Sequence, residues 1–163
     1  MSVRVQAEDF DLSTEVGALT AGRVDIGAIV TFTGTVRGEA DGQAVAAMTL
    51  EHYPDMTVKE LDNVEKQALA RWPLSASLII HRYGRLQAGD NIVLVITASA
   101  HRQAAFESAA FLMDYLKTSA PFWKSEEGPG GTARWVAARG EDDAASARWD
   151  DHDGGDAEGD GGE

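Results

Sequence analysis

The chain has 163 residues and no cysteine, so it is long enough for one domain with a substantial core, and it excludes disulfides, thiol nucleophiles and thiolate metal sites. Its formal net charge is −13; residues 141–163 hold ten acids and one arginine and contribute −9, and the rest of the chain contributes −4. This acidity disfavours sequence-independent binding of nucleic acid, and the absence of both a long apolar run and a signal-peptide pattern predicts a cytoplasmic protein outside the membrane.

The first half of the chain predicts strands around one short helix. Alternation over residues 3–7 predicts a first strand, and residues 13–21 predict a short helix with Ser13 as its cap. The β-branched and aromatic stretch GAIVTFTGTVR, residues 27–37, predicts a buried strand. Residues 44–53 predict its antiparallel partner across a glycine-containing turn.

A second helix and two further strands follow. Thr57 and Glu60 have the spacing of a capping box, and a one-sided apolar stripe predicts a helix that ends near Pro73. Residues 74–84 and 91–100 are rich in Ile, Leu and Val and predict two strands joined by a loop.

The last elements predict the fold class. A helix is expected from about His101 to just before Pro121, and FWKSE and TARWVA predict two strands joined by the GPGG turn. Hairpins mixed with helices indicate an α+β fold with a largely antiparallel sheet. We expect a domain over residues 1–140 and an acidic, Gly/Asp-rich and largely disordered tail over residues 141–163.

Cations bracket the helix that starts near His101. His101 and Arg102 lie at its start, where free backbone N–H groups favour an anion, and Lys117 lies in its last turn. Arg102 and Lys117 are 15 residues apart, which is about 22 Å along a helix. They therefore serve different sites, or a twofold dimer places one helix start beside the other helix end. A solvated first turn and a simple dipole contact remain the plainer alternatives.

Other polar residues have both a functional and a plainer interpretation. Arg37 ends the strand TGTVR beside glycines and suits phosphate binding, or it is a surface arginine. Lys124 and Glu126 share one side of an extended segment, where they form an acid–base site or a surface pair. His52 has the functional alternatives of a ligand or an acid–base group, but we expect both His52 and His81 to be structural. In the acidic tail, Glu158 or Glu163 at position 12 of a calcium loop would place Ala147 or His152 at position 1, and neither suits that position, so no metal site is predicted.

Motifs in one order along residues 24–139 are similar to the large, catalytic subunits of molybdopterin synthase. The most specific of them is MDYLKTSAPFWK, together with SAHR. The matching stretches are GAIVTFTGTVR, LEHYPDMT, RWPL, HRYGRLQAGDNIVLV, SAHRQAAFE, MDYLKTSAPFWKSE and the RWV strand.

The resemblance implies a fold, a reaction and partners. The family fold is an α/β-hammerhead with accessory strands. The family converts cyclic pyranopterin monophosphate, or precursor Z, into the dithiolene molybdopterin during molybdenum cofactor biosynthesis. Both sulfurs come from the C-terminal Gly-Gly thiocarboxylate of a small ubiquitin-like subunit. The large subunits form a homodimer at the centre of a heterotetramer, and no resident cofactor is expected.

The resemblance also implies the site. Lys117 of MDYLKT and Lys124 of PFWK correspond to the catalytic lysines. The residues that it implies in substrate binding are Thr35, Val36, Arg37, His101, Arg102, Lys117, Lys124, Ser125 and Glu126. Thr35 stands where some relatives have lysine, and Asp55 stands where a glycine is expected.

A noncatalytic module that docks a ubiquitin-like protein or an anionic ligand is the alternative function. A docking module needs a groove but not Arg37, Arg102, Lys117 and Lys124 together. Their joint presence favours the enzyme.

Overall fold

The described part of the chain forms two four-stranded sheets, one two-stranded hairpin and four helices. The structure, a computed structural model, describes residues 2–136 and 140–150. The strands are β1 Val3–Gln6, β2 Ala28–Thr35, β3 Glu39–Ala40, β4 Gln43–Ala44, β5 Ala47–His52, β6 Leu74–Arg82, β7 Gly84–Gln87, β8 Asn91–Ser99, β9 Phe122–Glu127 and β10 Ala133–Val136. The helices are α1 Leu12–Thr20, α2 Pro54–Arg71, α3 Arg102–Thr118 and α4 Gly140–Ala147.

The first sheet has the strand order β1-β6-β8-β2 and is covered on both faces. Its central strands β6 and β8 are almost entirely buried, which explains their continuous runs of Ile, Leu and Val. The largest apolar cluster joins this sheet to α2 and α3 through Leu61, Phe111 and Leu112. A second cluster packs Val16 and Leu19 of α1 against the opposite face.

The second sheet has the order β10-β9-β5-β7 and all its pairs are antiparallel. It packs over a smaller cluster that includes Val36, Leu50 and Leu86. In the first sheet only β1 and β6 run parallel. The predicted α+β class with a mostly antiparallel sheet is therefore confirmed.

The predicted hairpin between residues 27–37 and 44–53 is wrong. β2 pairs with β8 from Ala28 opposite Ser99 to Thr35 opposite Asn91, with an irregular register after Gly34. β5 instead lies between β7 and β9 in the second sheet. The intervening residues form their own two-residue hairpin, β3–β4, so the chain crosses from one sheet to the other before β5 begins.

The predicted helix starts need correction. Asp11, not Ser13, caps α1, because its Oδ1 accepts a hydrogen bond from the Thr14 amide at 2.7 Å. α2 begins at Pro54, a residue that suits the first helical turn, so Thr57 lies inside the helix and is fully buried. The end of α2 at Arg71 agrees with the prediction.

Ordered structure continues past the predicted domain boundary. α4 spans that boundary, and Trp149 packs edge-on against Trp72 and Phe111, with ring centroids 5.6 and 5.5 Å apart. The Trp149 indole N–H donates to Asp114 Oδ2 at 2.7 Å. The rest of the predicted tail, residues 151–163, lies outside the described residues, so the division of the chain stays a prediction.

Candidate active site

A small cavity lies where the last turn of α3 meets the two sheets. Its volume is about 100 Å³. Both predicted catalytic lysines line it, Lys117 from α3 and Lys124 from β9, and so does Thr35 at the end of β2. The remaining lining residues are Phe32, Gly34, His81, Ile92, Val93, Met113, Leu116, Ala120 and Phe122.

The end of α3 places Lys117 at this cavity. Leu116 is buried in the main core, and its neighbour Lys117 is exposed in the last helical turn. The Ser119 amide donates to the Tyr115 carbonyl at 2.7 Å and closes the helix. A cation in this turn interacts favourably with the negative end of the helix dipole.

The strand β9 places Lys124 at the same cavity. Side chains alternate along a strand, so Phe122, Lys124 and Glu126 share the inner face, whereas Trp123 is on the exposed face. This arrangement confirms the prediction that Lys124 and Glu126 lie on one side. The residue Lys124 pairs with Leu50 of β5 and with Val136 of β10, so its backbone is held from both sides.

His81 is a site component that sequence reasoning treated as structural. It lies near the end of β6, is 6% exposed and lines the cavity. Phe122 stacks on its ring at 3.7 Å between centroids and an interplanar angle of 15°. Burial lowers the pKa of His81 to about 4; the hydrogen bond to the Arg82 carbonyl opposes this, and the charges of Lys124, Lys117 and His52 add to it.

The last residues of β2 line the cavity, and the residue that follows them lies in the core. Thr35 lines the cavity, and a side chain at Gly34 would come within 2.8 Å of Val93, so the glycine allows the backbone to pass close to β8. Val36 is 2% exposed and packs in the core of the second sheet. Arg37 follows it and is exposed.

His101 and Arg102 lie at the opposite end of α3 from Lys117. Both side chains are exposed, and His101 is the N-cap residue of the helix. The buried Ser99 side chain organises this turn, because it accepts from the His101 amide at 3.0 Å and donates to the His101 carbonyl at 2.6 Å. The structure thus does not bring His101 and Arg102 to the lysine cavity within one chain.

Ser125 and Glu126 have different surroundings from Lys124. Ser125 is partly buried and faces away from the inner side of β9. Glu126 is buried, forms an ion pair with Arg134 at 3.4 Å and lines a separate cavity of about 140 Å³. Its carboxylate is therefore held by a cross-strand arginine.

His52 lies among aromatic side chains. Its ring centroid is 4.5 Å from that of Tyr83 and 5.8 Å from that of Phe122. Burial lowers its pKa. Its Nδ1 has no hydrogen-bond partner within the part of the chain that the structure describes.

Neither a metal cluster nor a membrane-spanning helix is present in the described part of the chain. Among the side chains of residues 2–136 and 144–150, no group of three or more His, Asp or Glu is arranged to hold a metal ion. None of the described helices is long and apolar enough to cross a bilayer.

Comparisons with known proteins identify the family. The profile of the MoaE protein family matches residues 5–119. The chain belongs to the MoaE family. A molybdopterin synthase catalytic subunit from Brucella melitensis is 54% identical over 152 residues, which are 93% of this chain and 92% of that protein. The Escherichia coli protein of the same name is 54% identical over 129 residues, covering 79% and 85% of the two chains.

A solved structure agrees with this membership. The molybdopterin biosynthesis MoaE protein from Burkholderia ambifaria superposes with a TM-score of 0.78 at 53% identity, covering 91% of this chain and 97% of that one. This member of the MoaE family is accordingly a catalytic subunit of molybdopterin synthase, an enzyme of molybdenum cofactor biosynthesis. The noncatalytic docking module is therefore set aside.

Proposed function

We propose that this MoaE family member converts cyclic pyranopterin monophosphate into molybdopterin by inserting two sulfurs. The sulfur arrives as the C-terminal Gly-Gly thiocarboxylate of a small ubiquitin-like subunit, and the reaction takes place in the cytoplasm. The absence of cysteine from the chain is compatible with this chemistry, because the sulfur is imported.

One observation carries the proposal: Lys117 and Lys124 come from different elements and line one cavity. Two ammonium groups are suited to an anionic thiocarboxylate, whose charge they balance while one oxygen or sulfur accepts a hydrogen bond. As sulfur attacks the substrate carbon and the acyl group is later hydrolysed, the same groups are placed to donate and accept protons.

The size of the cavity supports a peptide end as its occupant. At about 100 Å³ it is smaller than the ~300–1,000 Å³ of pockets that enclose whole small molecules. Two glycines have no side chains, so they fit a narrow opening that other residues would block. The pterin then lies outside the cavity, against the exposed cations.

Arg37, His101 and Arg102 are the proposed substrate-binding groups. All three are exposed, and the start of α3 offers free backbone N–H groups beside the His101 and Arg102 side chains. Thr35 lies at the end of β2 and lines the cavity, and we assign it to substrate binding as well. Val36, Ser125 and Glu126 support the wall of the site. Val36 lies in the core, and Glu126 pairs with Arg134.

A homodimer solves the distance between the two ends of α3. The helix runs unbroken from Arg102 to Thr118, so Arg102 and Lys117 are about 22 Å apart along its axis. In a twofold dimer, Arg102 of one chain and Lys117 of the other complete two equivalent sites. With one small subunit at each end, the assembly is a heterotetramer.

The test is turnover of the pterin precursor by the purified chain with a thiocarboxylated small subunit. We expect the wild type to form dithiolene product and Lys117→Ala to lose at least ~10²-fold in rate, as when a charged transition-state contact is removed. Lys66→Ala, an exposed lysine on α2, is the matched control and retains the wild-type rate. Full turnover by Lys117→Ala would contradict the assignment.

A further inference from the structure

His81 is a buried histidine beside two lysines. Its ring lines the cavity together with Lys117 and Lys124, although it belongs to a central strand whose other residues are mostly apolar. A polar ring in such a position costs stability unless its nitrogens have partners.

The first nitrogen determines the tautomer. Nδ1 of His81 lies 2.9 Å from the carbonyl oxygen of Arg82. A carbonyl only accepts hydrogen bonds, so Nδ1 carries the hydrogen and donates it. In the neutral ring Nε2 is then the acceptor. Phe122 stacks on the His81 ring at 3.7 Å and fixes the plane of the ring. The Nε2 lone pair lies in that plane, so its direction is fixed as well.

The surroundings keep this ring neutral. Burial lowers its pKa to about 4 against the raising effect of the Arg82 carbonyl, and the charges of Lys124 on β9, Lys117 on α3 and His52 on β5 lower it further. At neutral pH the cavity therefore contains an uncharged acceptor among ammonium donors. Lys124 has the largest effect of these three charges.

We propose that His81 is a positioning residue, whose Nε2 accepts a hydrogen bond from the Lys124 ammonium and holds it toward the cavity. Lys124 is favoured over Lys117 because it lies on the same face of β9 as Phe122, which covers the His81 ring. A lysine has a long flexible stem, so an acceptor at a set position restricts where its charge lies. This inference rests on the proposed function in one respect only, which is that the group contacted by the Lys124 ammonium is the thiocarboxylate.

Three variants of the full-length chain, each in complex with the thiocarboxylated small subunit, test the role. His81→Phe keeps a stacked ring and removes both nitrogens, whereas His81→Gln returns a carbonyl oxygen that can accept. His52→Phe is the matched control in the same aromatic group. We expect His81→Phe to lose about 10- to 100-fold in kcat with KM unchanged. His81→Gln recovers most of that loss, and His52→Phe stays within about twofold of wild type.

Nuclear magnetic resonance supplies a readout that needs no turnover. In the wild type we expect Nε2 of His81 without a proton at neutral pH, and a Lys124 ammonium signal that is protected from exchange with water. In His81→Phe the Lys124 signal broadens, whereas that of Lys117 does not. A protonated Nε2, an unchanged Lys124 signal or wild-type turnover by His81→Phe would overturn the proposal.

These readouts separate the two proposals. If the wild type forms no product but Nε2 accepts from Lys124, the proposed reaction fails and the positioning role stands. If the wild type is active and His81→Gln does not recover more rate than His81→Phe, the reaction stands and the positioning role fails. Should His81→Phe not fold, the Nε2 and Lys124 signals of the wild type decide alone.

Discussion

The charge state of His81 links the cavity to the stability of the folded chain. In the folded protein its pKa is lowered from 6.5 to about 4, chiefly by burial. Between these two values the unfolded chain binds a proton that the folded chain does not bind. The stabilising contribution is therefore complete above pH 6.5 and is lost as the pH falls toward 4.

We accordingly expect the free energy of unfolding to fall by about 3 kcal/mol between neutral pH and pH 4 on account of this one residue. Urea unfolding curves measured across that range give the slope. His52, whose pKa burial also lowers, contributes in the same direction. Asp9, Asp11 and Asp25 also have lowered pKa values, and their contribution to the free energy of unfolding is lost at lower pH. These carboxylates lose their stabilising contacts only when they become protonated.

His81→Phe is the control for this pH dependence. It removes the titrating group and keeps an aromatic ring against Phe122, so the slope between pH 6.5 and 4 decreases while that from His52 remains. An identical slope in the variant would show that another group is responsible.

Sequence reasoning found the lysines of the cavity but not the histidine. Lys117 and Lys124 stand in a segment specific enough to be matched residue by residue, and the structure places both at one cavity with Thr35. His81 stands at the end of an apolar strand, where a histidine is usually structural. Its surroundings come from β9 and α3, far along the chain, so no local pattern could reveal them.

At the scale of elements, the longer helices and strands were predicted in the right order. The short strands β3, β4 and β7, the helix α4 and the pairing of β2 were not predicted. Apolar periodicity specifies an element locally, whereas pairing depends on which edges the rest of the core leaves open. Adjacent strands often form hairpins, but the short β3–β4 hairpin and the burial of Val36 in the second core carry β5 into another sheet.

Gly27 provides a test of how β2 joins β8. Its amide donates to the Ser99 carbonyl at 3.0 Å, and a Cβ at this position would lie 2.3 Å from the Ala100 carbonyl oxygen. The Ala100 carbonyl oxygen belongs to the backbone just before α3, so rotation of a side chain cannot relieve the clash. We expect Gly27→Ala to lower the free energy of unfolding by ~1–3 kcal/mol, as overpacking does.

Gly17→Ala is the matched control for this substitution. Gly17 lies inside α1, where an added Cβ meets nothing within 4 Å. Alanine favours a helix over glycine, so this variant should be more stable by roughly 0.5–1 kcal/mol. Chemical denaturation followed by circular dichroism measures both changes. Equal stability of Gly27→Ala and wild type would mean that the backbone at Ala100 moves aside.

At the scale of the whole molecule, the acidic composition after residue 140 concealed a packed segment. Trp149 joins that segment to the main core through Trp72, Phe111 and a hydrogen bond to Asp114, and Arg148 forms an ion pair with the same carboxylate. Charge and glycine content predict an unpacked tail well on average, but a single large aromatic residue buries enough surface to hold the chain near it.

The arrangement of the proposed dimer makes a quantitative prediction about mixed assemblies. If Arg102 and Lys117 serve the same site from different chains, a heterodimer of Arg102→Ala and Lys117→Ala has one site with both changes and one site with neither. Each homodimer has two damaged sites. Two affinity tags isolate the heterodimer, and its turnover with thiocarboxylated small subunit should be about half that of wild type.

A heterodimer of Lys117→Ala and Lys124→Ala is the decisive control, because both lysines line the same cavity within one chain. Every site in it lacks one lysine, so its activity should remain as low as that of the two homodimers. If turnover recovers when Arg102→Ala is paired with Lys117→Ala, but not when Lys117→Ala is paired with Lys124→Ala, the two ends of one α3 helix belong to different sites. If the purified first heterodimer stays inactive, Arg102 does not act with the partner's cavity, and the cations at the two ends of α3 have separate roles.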